Sequence, residues 1–319
     1  MTDDVDEFSF LSAMAEDAGI RTPLPRAERV SLVLPDGRTL SALRFGDGPP
    51  VITLLHGAGL NAHTWDTTLL AANLPALAVD LAGHGDSSWR EDASYVAPTL
   101  APDVVAALET WTDRPQVLVG HSLGGLTAAK VAASRPDLVR DLVIVDITPG
   151  IDPSGDAQSI AAFFAGPSDW ASRDELVERA MSFGLGGTRE AAARGVFLNS
   201  RVRDDGRVEW KHHFARVANR LAEDPEAALS AMAQQDAVRD VLAASGWDDL
   251  AAVCAPVLLI RGDRGFVTEQ DAADFARRLP AASVVTVPST HNVQEQLPVS
   301  LGERLRTIAD APSGTPDRS

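Results

Sequence analysis

Val117-Leu118-Val119-Gly120-His121-Ser122-Leu123-Gly124-Gly125 is the stretch on which the reading of the chain turns. An apolar, β-branched run leads into a Gly-x-Ser-x-Gly. The small and aliphatic residues of a predicted helix follow: Leu126, Ala128, Ala129, Val131 and Ala132. Strand, sharp turn and helix form the context that makes this pattern a nucleophile elbow, with the Ser122 hydroxyl presented above a sheet. Such a bend brings neighbouring backbone too close for side chains, which calls for glycine at 120 and 124. With Gly and Ser each near ~7% of residues, the three fixed positions alone recur by chance in roughly one chain in ten. The flanking strand and helix give the pattern its weight.

Working outward, the same alternation recurs. Val30–Leu34 and Thr39–Phe45, joined by Pro35-Asp36-Gly37-Arg38, read as a β-hairpin by turn chemistry. Val51–Leu55 is short and wholly apolar, as a strand covered on both faces should be, and ends in His56-Gly57-Ala58-Gly59. A helix over Trp65–Ala72, a strand Ala76–Val79 ending in Asp80, a helix Pro102–Trp111 and a strand Leu142–Val145 ending in Asp146 complete the first half. Alternation resumes late, with strands at Pro256–Arg261 and Ser283–Val287 and helices at Thr268–Leu279 and Pro298–Ile308. Repeated units of this kind imply an α/β fold with a doubly wound, mostly parallel sheet. Functional groups then gather at the C-terminal strand ends, where His56, Asp80, Ser122 and Asp146 fall.

Between the halves the alternation breaks. Ile160–Phe164, Asp174–Phe183, Arg189–Val196, His213–Ala222 and Asp236–Ala244 read as helices with no buried strand among them. The organisation that follows is an N-terminal extension over 1–27, a core over 28–150 and 246–309, a helical cap over 151–245 and a disordered tail over 310–319. In the extension, Phe8, Phe10, Leu11 and Met14 make one face of a short helix ended by Pro23-Leu24-Pro25 and packed on the surface.

The bulk numbers narrow the classes. The chain has 319 residues, 45% of them hydrophobic, enough for one large domain with an insertion. Its net charge of −17 leaves no footprint for nucleic acid or anionic membrane. No apolar run approaches the ~18 residues that span a bilayer. The acidic start, Met-Thr-Asp-Asp-Val-Asp-Glu, is unlike a secretory signal, so the protein reads as cytoplasmic. The single cysteine, Cys254, excludes an internal disulfide and reads as a small buried hydrophobe. No metal-ligand spacing occurs. The segment Asp80-x-x-Gly83-x-Gly85 lacks the Lys-Ser/Thr of a phosphate loop.

A serine hydroxyl needs an adjacent base, and near neutral pH that base is a histidine. Of the seven histidines, His291 stands out, in the loop between the last predicted strand and the final helix. It also satisfies the chain order serine, acid, histidine. His56 and His84, beside glycines, read as structural hydrogen-bonders, and His121 as a residue that orients the elbow. His212 and His213 read as surface residues or substrate contacts.

Taken together, His56-Gly57-Ala58-Gly59, Asp80-Leu81-Ala82-Gly83-His84-Gly85-Asp86-Ser87, Gly120-His121-Ser122-Leu123-Gly124-Gly125 and the late His291 resemble the α/β-hydrolase superfamily over about residues 28 to 309, the cap excepted. The resemblance implies an oxyanion hole from the backbone N–H groups of Ala58 and Leu123. It also sets the chain apart from haloalkane dehalogenases and epoxide hydrolases, whose nucleophile is an aspartate. The acid departs from the usual pattern. Its common position, three residues after the glycine of Gly262-Asp263-Arg264-Gly265, is occupied here by Gly265. A subset of the superfamily carries the acid after the elbow's neighbouring strand, and Val145-Asp146-Ile147-Thr148-Pro149 resembles that subset. Asp146 is therefore preferred and Asp263 is the alternative.

The first reading is a cofactor-independent serine hydrolase of a carboxylic ester or lactone, a small-molecule substrate, with Ser122, His291 and Asp146 as catalytic residues. A second is a carbon–carbon hydrolase of the meta-cleavage type, with Arg201, Arg203 or His213 taking a substrate carboxylate. A third is a non-catalytic binding module on the same fold. Phe163, Phe164, Trp170, Phe183, Trp210, Phe214, Phe266 and Val293 are candidates for a mainly apolar pocket. The run from Asn199-Ser200-Arg201 through Asp205-Gly206-Arg207 to Trp210 resembles a recurrent cap segment and has no assignable role.

Overall fold

The computed structural model describes residues 5–151, 167–183, 186–214, 216 and 245–311. Among the described residues there are ten strands: β1 (Ala27–Val33), β2 (Thr39–Phe45), β3 (Ile52–Leu55), β4 (Ala76–Asp80), β5 (Gln116–His121), β6 (Val139–Val145), β7 (Ser200–Val202), β8 (Val208–Trp210), β9 (Val257–Arg264) and β10 (Ser283–Thr290). Eight of them form one sheet in the order β1-β2-β4-β3-β5-β6-β9-β10. The pairs from β4 through β10 are parallel, and β2 runs antiparallel to both of its neighbours. The doubly wound, mostly parallel sheet expected from the alternation is the one observed.

The helices named here are α1 (Leu11–Asp17), α2 (Asp66–Ala72), α3 (Ala97–Trp111), α4 (Leu123–Ser134), α5 (Arg173–Ser182), α6 (Arg189–Asn199), α7 (Glu269–Arg278) and α8 (Pro298–Asp310). Alternation along each strand divides the core between two faces. Leu55, Leu118, Leu142 and Ile144 face a layer with Val104, Leu108, Ala128, Val131 and Phe275. Leu54, Val117, Val119, Val143 and Val145 face Leu11, Trp65, Leu69, Leu301 and Leu305. Covering both faces is what allows the central strands to be apolar without interruption.

The strand order places a switch point at β3 and β5. From β3 the chain moves to β4 on one side, then crosses back to β5 on the other. The loops after β3 and β5 therefore diverge and leave a crevice at their C-terminal ends. His56 and Ser122 lie in those loops.

Several expectations are corrected. α3 begins at Ala97, ahead of Pro102, because Pro98 supplies a first-turn proline and Thr99 Oγ1 accepts the Val96 N–H. α1 ends at Asp17, well before Pro23, with Gly19 at φ +69° just beyond it. It packs on the core through buried Leu11 and Ala15, and the Phe10 ring meets Phe197 of α6 at 5.3 Å. Cys254 is exposed, since it sits in the turn between the helical residues 245–252 and β9.

The segment between β6 and β9 is not purely helical. α5 and α6 match two of the expected helices, but β7 and β8 pair antiparallel, Ser200 opposite Trp210, and Trp170 bridges to Val208. Three-residue strands are too short to show alternation, which is why the pattern concealed them. The expected helices Ile160–Phe164 and Asp236–Ala244, with the pocket candidates Phe163 and Phe164, lie outside the described residues, as does most of His213–Ala222. So do residues 312–319 of the expected tail, while α8 continues to Asp310.

Candidate active site

The site begins at the elbow. Ser122 follows β5 with φ 52° and ψ −122°, a left-handed conformation disfavoured for any residue with a Cβ. The surroundings enforce it. A Cβ on Gly120 would stand 2.2 Å from the Gly124 carbonyl oxygen, and one on Gly124 would stand 2.4 Å from the Leu55 oxygen. The turn thus closes on itself and against the end of β3, leaving the serine at the bend and partly exposed.

Asp146 takes the corresponding place after β6, the neighbouring strand, also with positive φ (51°). Its carboxylate is fully buried and has three donors. Oδ1 accepts the Gly262 N–H at 2.9 Å, and Oδ2 accepts the Phe266 N–H at 2.6 Å and His291 Nδ1 at 2.8 Å. Burying a carboxylate without such donors would be costly, and here the end of β9 and the turn that follows it provide two of them from the backbone. An ionised carboxylate can only accept, so His291 carries its proton on Nδ1 and leaves Nε2 unprotonated in the neutral ring.

His291 is held from several sides. The Phe266 ring stacks on it, with centroids 3.6 Å apart and planes 11° apart. Its carbonyl oxygen accepts from His121 Nε2 at 3.0 Å and from the Val293 N–H at 3.1 Å. Complete burial, with His291 nearby, holds His121 well below the usual histidine range, so it stays neutral and works as a hydrogen-bond donor. The elbow is thereby tied directly to the histidine loop, in keeping with the orienting part expected of His121.

The loop after β3 closes the other side. Gly57, Ala58, Gly59 and Leu60 form a turn, with the Leu60 N–H bonded to the Gly57 carbonyl at 3.2 Å and Gly59 at φ +75°. A Cβ on Gly57 would meet Ser122 Cβ at 3.2 Å and His121 Nδ1 at 2.7 Å, which shows how closely this turn approaches the elbow. Ala58 is exposed beside it. Leu123 opens α4, where first-turn N–H groups have no intrahelical acceptor. His56 Nδ1 donates to the Gly57 carbonyl at 2.8 Å and Nε2 accepts the Leu81 N–H at 3.0 Å. Burial lowers its pKa, in keeping with that neutral tautomer.

Asp263, the alternative acid, points elsewhere. Its side chain is 48% exposed and contacts Arg264 at 3.4 Å. The physical reason is visible at Gly265, where an added Cβ would fall 2.2 Å from Asp146 Oδ1. The space that a side chain at the common acid position would use is filled by the Asp146 carboxylate.

A model of the alpha/beta hydrolase family matches residues 54–299. The chain belongs to the α/β-hydrolase family. Among curated relatives, the esterase Rv0045c of Mycobacterium tuberculosis is 37% identical over 316 residues, spanning 96% of each protein. A crystal structure of that novel esterase covers 98% of this chain and 100% of its own, with 34% identity and a TM-score of 0.77. A 2-(acetamidomethylene)succinate hydrolase of Mesorhizobium japonicum is 30% identical and spans 86% of this chain and 92% of its own length. Among the described residues, no helix of this α/β-hydrolase is long and apolar enough to cross a membrane.

The remaining candidates fall unevenly. Phe266 lies against His291, as described. Val293 is buried in the core beside Leu301 and Leu305, so its position is one of packing. Trp210 and Trp170 meet edge to face at 5.9 Å inside a separate small core of the inserted segment. Phe183 is on the surface. Phe214 packs against His84 and Tyr95, linking the segment to the loop after β4.

His212 and His213 are not surface residues. The His213 N–H donates to the Gly83 carbonyl at 2.8 Å, its ring lies flat on Trp89 at 4.5 Å, and Nδ1 meets the Tyr95 hydroxyl at 2.6 Å. His212 is stacked on Trp210, and burial pulls its pKa down to about 3. Neither was legible from sequence, because their partners lie more than a hundred residues away or in the hidden hairpin.

Proposed function

We propose that this carboxylic ester hydrolase works through Ser122 as nucleophile, His291 as general base and acid, and Asp146 as the carboxylate that orients His291. The observation that carries the reading is the 2.8 Å hydrogen bond between His291 Nδ1 and the fully buried Asp146, one strand from the strained elbow serine. That bond fixes the tautomer in which Nε2 is free to accept a proton.

The substrate is a carboxylic ester or lactone, bound between the strand ends and the inserted segment as a cap. Ser122 Oγ attacks the carbonyl carbon while His291 Nε2 takes its proton. The resulting oxyanion is received by the N–H groups of Ala58 and Leu123, each typically worth about 3–4 kcal/mol in the transition state. Asp146 stabilises the imidazolium formed at that moment. His291 then gives the proton to the departing alcohol oxygen, leaving an acyl-enzyme on Ser122. Water enters, loses a proton to His291 and attacks the ester. Collapse of the second tetrahedral species releases the acid and restores the serine.

A carbon–carbon reading draws no support from the side chains it would need. Arg201 is paired with Glu209 at 2.8 Å, and Arg203 with Asp169 at 2.7 Å and Asp205 at 2.6 Å. Both guanidiniums are already engaged in ion pairs, Arg201 sharing Glu209 with Arg216, and His213 Nδ1 is engaged with the Tyr95 hydroxyl at 2.6 Å.

A fluorophosphonate should label wild-type protein at Ser122 and leave Ser122→Ala unlabelled. A folded wild-type protein that resists the reagent would remove the nucleophile from this scheme. A series of p-nitrophenyl esters beside lactones and a ring-fission dienone then sorts substrate class, with the dienone expected to be inert.

A further inference from the structure

Asn199 ends α6 in the inserted segment, within the run to which the sequence assigned no role, yet its side chain reaches the turn after β3. Its Nδ2 donates to the Gly59 carbonyl at 2.9 Å. From the other direction, buried Asn61 Nδ2 donates to the Leu198 carbonyl at 2.9 Å and to Asn199 Oδ1 at 3.1 Å. Three hydrogen bonds therefore join the end of α6 to residues 59–61, across about 140 positions of sequence.

Both ends of this clamp are anchored. On the core side, Asn61 Oδ1 accepts the His63 N–H at 3.0 Å and the Ala62 N–H bonds to buried Asp80 Oδ1 at 2.8 Å. On the side of the segment, the Asn199 carbonyl accepts the Lys211 N–H at 2.9 Å, and Arg173 Nε bonds Ser200 Oγ at 3.1 Å. α6 is in turn braced by Phe10 against Phe197 and by Asp17 against Arg194 at 2.7 Å.

What lies between the anchors is the short turn 57–60. The Gly57 carbonyl and the Ala58 N–H belong to one planar trans peptide and point in opposite directions. His56 holds that carbonyl, and so sets the direction of the Ala58 N–H from one side. The far side of the turn contains Gly59 at φ +75°, a residue with little conformational resistance of its own. Asn199 holds its carbonyl.

We propose that Asn199, with Asn61, is a positioning residue for the oxyanion hole: the inserted segment clamps the turn so that the Ala58 N–H stays aimed at the reacting carbonyl. This rests on the assignment of Ala58 as an oxyanion donor made above. The clamp acts through Ala58 and touches no substrate, so its loss should appear in transition-state stabilisation and leave ground-state binding little changed.

The test compares Asn199→Ala and Asn199→Asp with wild-type on a p-nitrophenyl ester, well below each protein's melting temperature. Asn199→Asp is nearly isosteric and keeps the acceptor for Asn61 but loses the donor to Gly59. Both variants are expected to lose about tenfold or more in kcat with KM within about twofold, as for a displaced donor. A trifluoromethyl ketone, whose adduct presents an oxyanion, should weaken by the same factor. Asn61→Ala should give a similar loss, and the double variant Asn61→Ala/Asn199→Ala no more than the worse single one.

A folded Asn199→Asp with wild-type kcat and ketone affinity would overturn the proposal. So would a lowered melting temperature in Asn199→Ala with kcat unchanged, since the asparagine would then only stabilise. If the Ala58 assignment itself is at fault, the pattern differs. Wild-type protein would then fail to take the fluorophosphonate, or would bind the ketone no better than the corresponding non-fluorinated ketone, and both readings fall together.

Discussion

β6 and β9 lie side by side in the sheet, and each brings an aspartate to its C-terminal end. Asp146 follows β6, fully buried, with two backbone N–H groups and an imidazole on its oxygens. Asp263 lies in the last residues of β9, half-exposed, and its carboxylate meets its neighbour Arg264 at 3.4 Å. The difference is not one of residue type or of distance along the sheet edge. It comes from the end of β9 and the turn that follows, which aim the Gly262 and Phe266 N–H groups at Asp146 and keep no side chain at Gly265. The donors and the empty volume belong to one strand and the carboxylate to the other. A side chain at 265 would need the volume that the Asp146 carboxylate fills, so the two positions compete for one space.

The largest effect should come from Asp146, the acid proposed above. Asp146→Asn keeps the shape but cannot demand the Nδ1–H tautomer, and a loss of about 10⁴ in kcat is expected by analogy with other triads. Asp263→Asn should change kcat by less than about twofold, as expected for an exposed surface carboxylate. Steady-state kinetics on both, at matched melting temperatures, settles the comparison; the reverse pattern would assign the acid to β9.

Gly265→Ala probes the volume. Its Cβ would fall 2.2 Å from one carboxylate oxygen and 2.3 Å from the other, so Asp146 must move or the loop must open. A displacement of that size should lower kcat by about ten- to a hundredfold. Overpacking of this kind also costs roughly 1–3 kcal/mol of stability, readable by denaturant titration. The converse variant sharpens the point. In Asp146→Gly/Gly265→Asp the carboxylate returns from the other strand to the vacated space. It should recover about tenfold over Asp146→Gly alone, since the donors remain and only the orientation of the acid changes. No recovery would mean that β9 cannot aim a carboxylate at His291 in this chain.

How much of this was legible in sequence follows from where each signal resides. The elbow, the strands and the two termini of His291's loop are local patterns of apolar alternation and turn residues, and they read directly. Asp146 was legible as a strand end, but its preference over Asp263 needed a resemblance, because the decisive fact is a contact between Gly265 and Asp146. β7 and β8 were hidden by their length, and Cys254 by a rule about cysteine burial that a turn overrides. The charge cluster around His63 had no signal at all. Glu7 lies in a stretch expected to be peripheral, and its partners Arg29 and His63 sit on separate elements.

That cluster gives the last prediction, read in stability. His63 is buried between two acids, with Nδ1 2.8 Å from Asp66 and Nε2 3.0 Å from Glu7, so both nitrogens donate and the ring is cationic. Burial alone would depress its pKa, but Asp66 and Glu7 outweigh that and raise it to about 9. A histidine raised in the folded state stabilises most below its unfolded pKa, near 6.5, and loses that contribution as pH climbs through about 9. Melting temperature should therefore decline between these values, by an amount equivalent to a few kcal/mol at the order-of-magnitude level. His63→Gln should be less stable at pH 6.5 and should flatten the decline. Arg29 also joins this cluster to Asp80, which holds the Ala62 N–H beside Asn61, so the readout here is the melting temperature. A wild-type melting temperature that rises from pH 6.5 to 9 would show that His63 is neutral in the folded protein, and that Glu7 has its ion pair with Arg29 only.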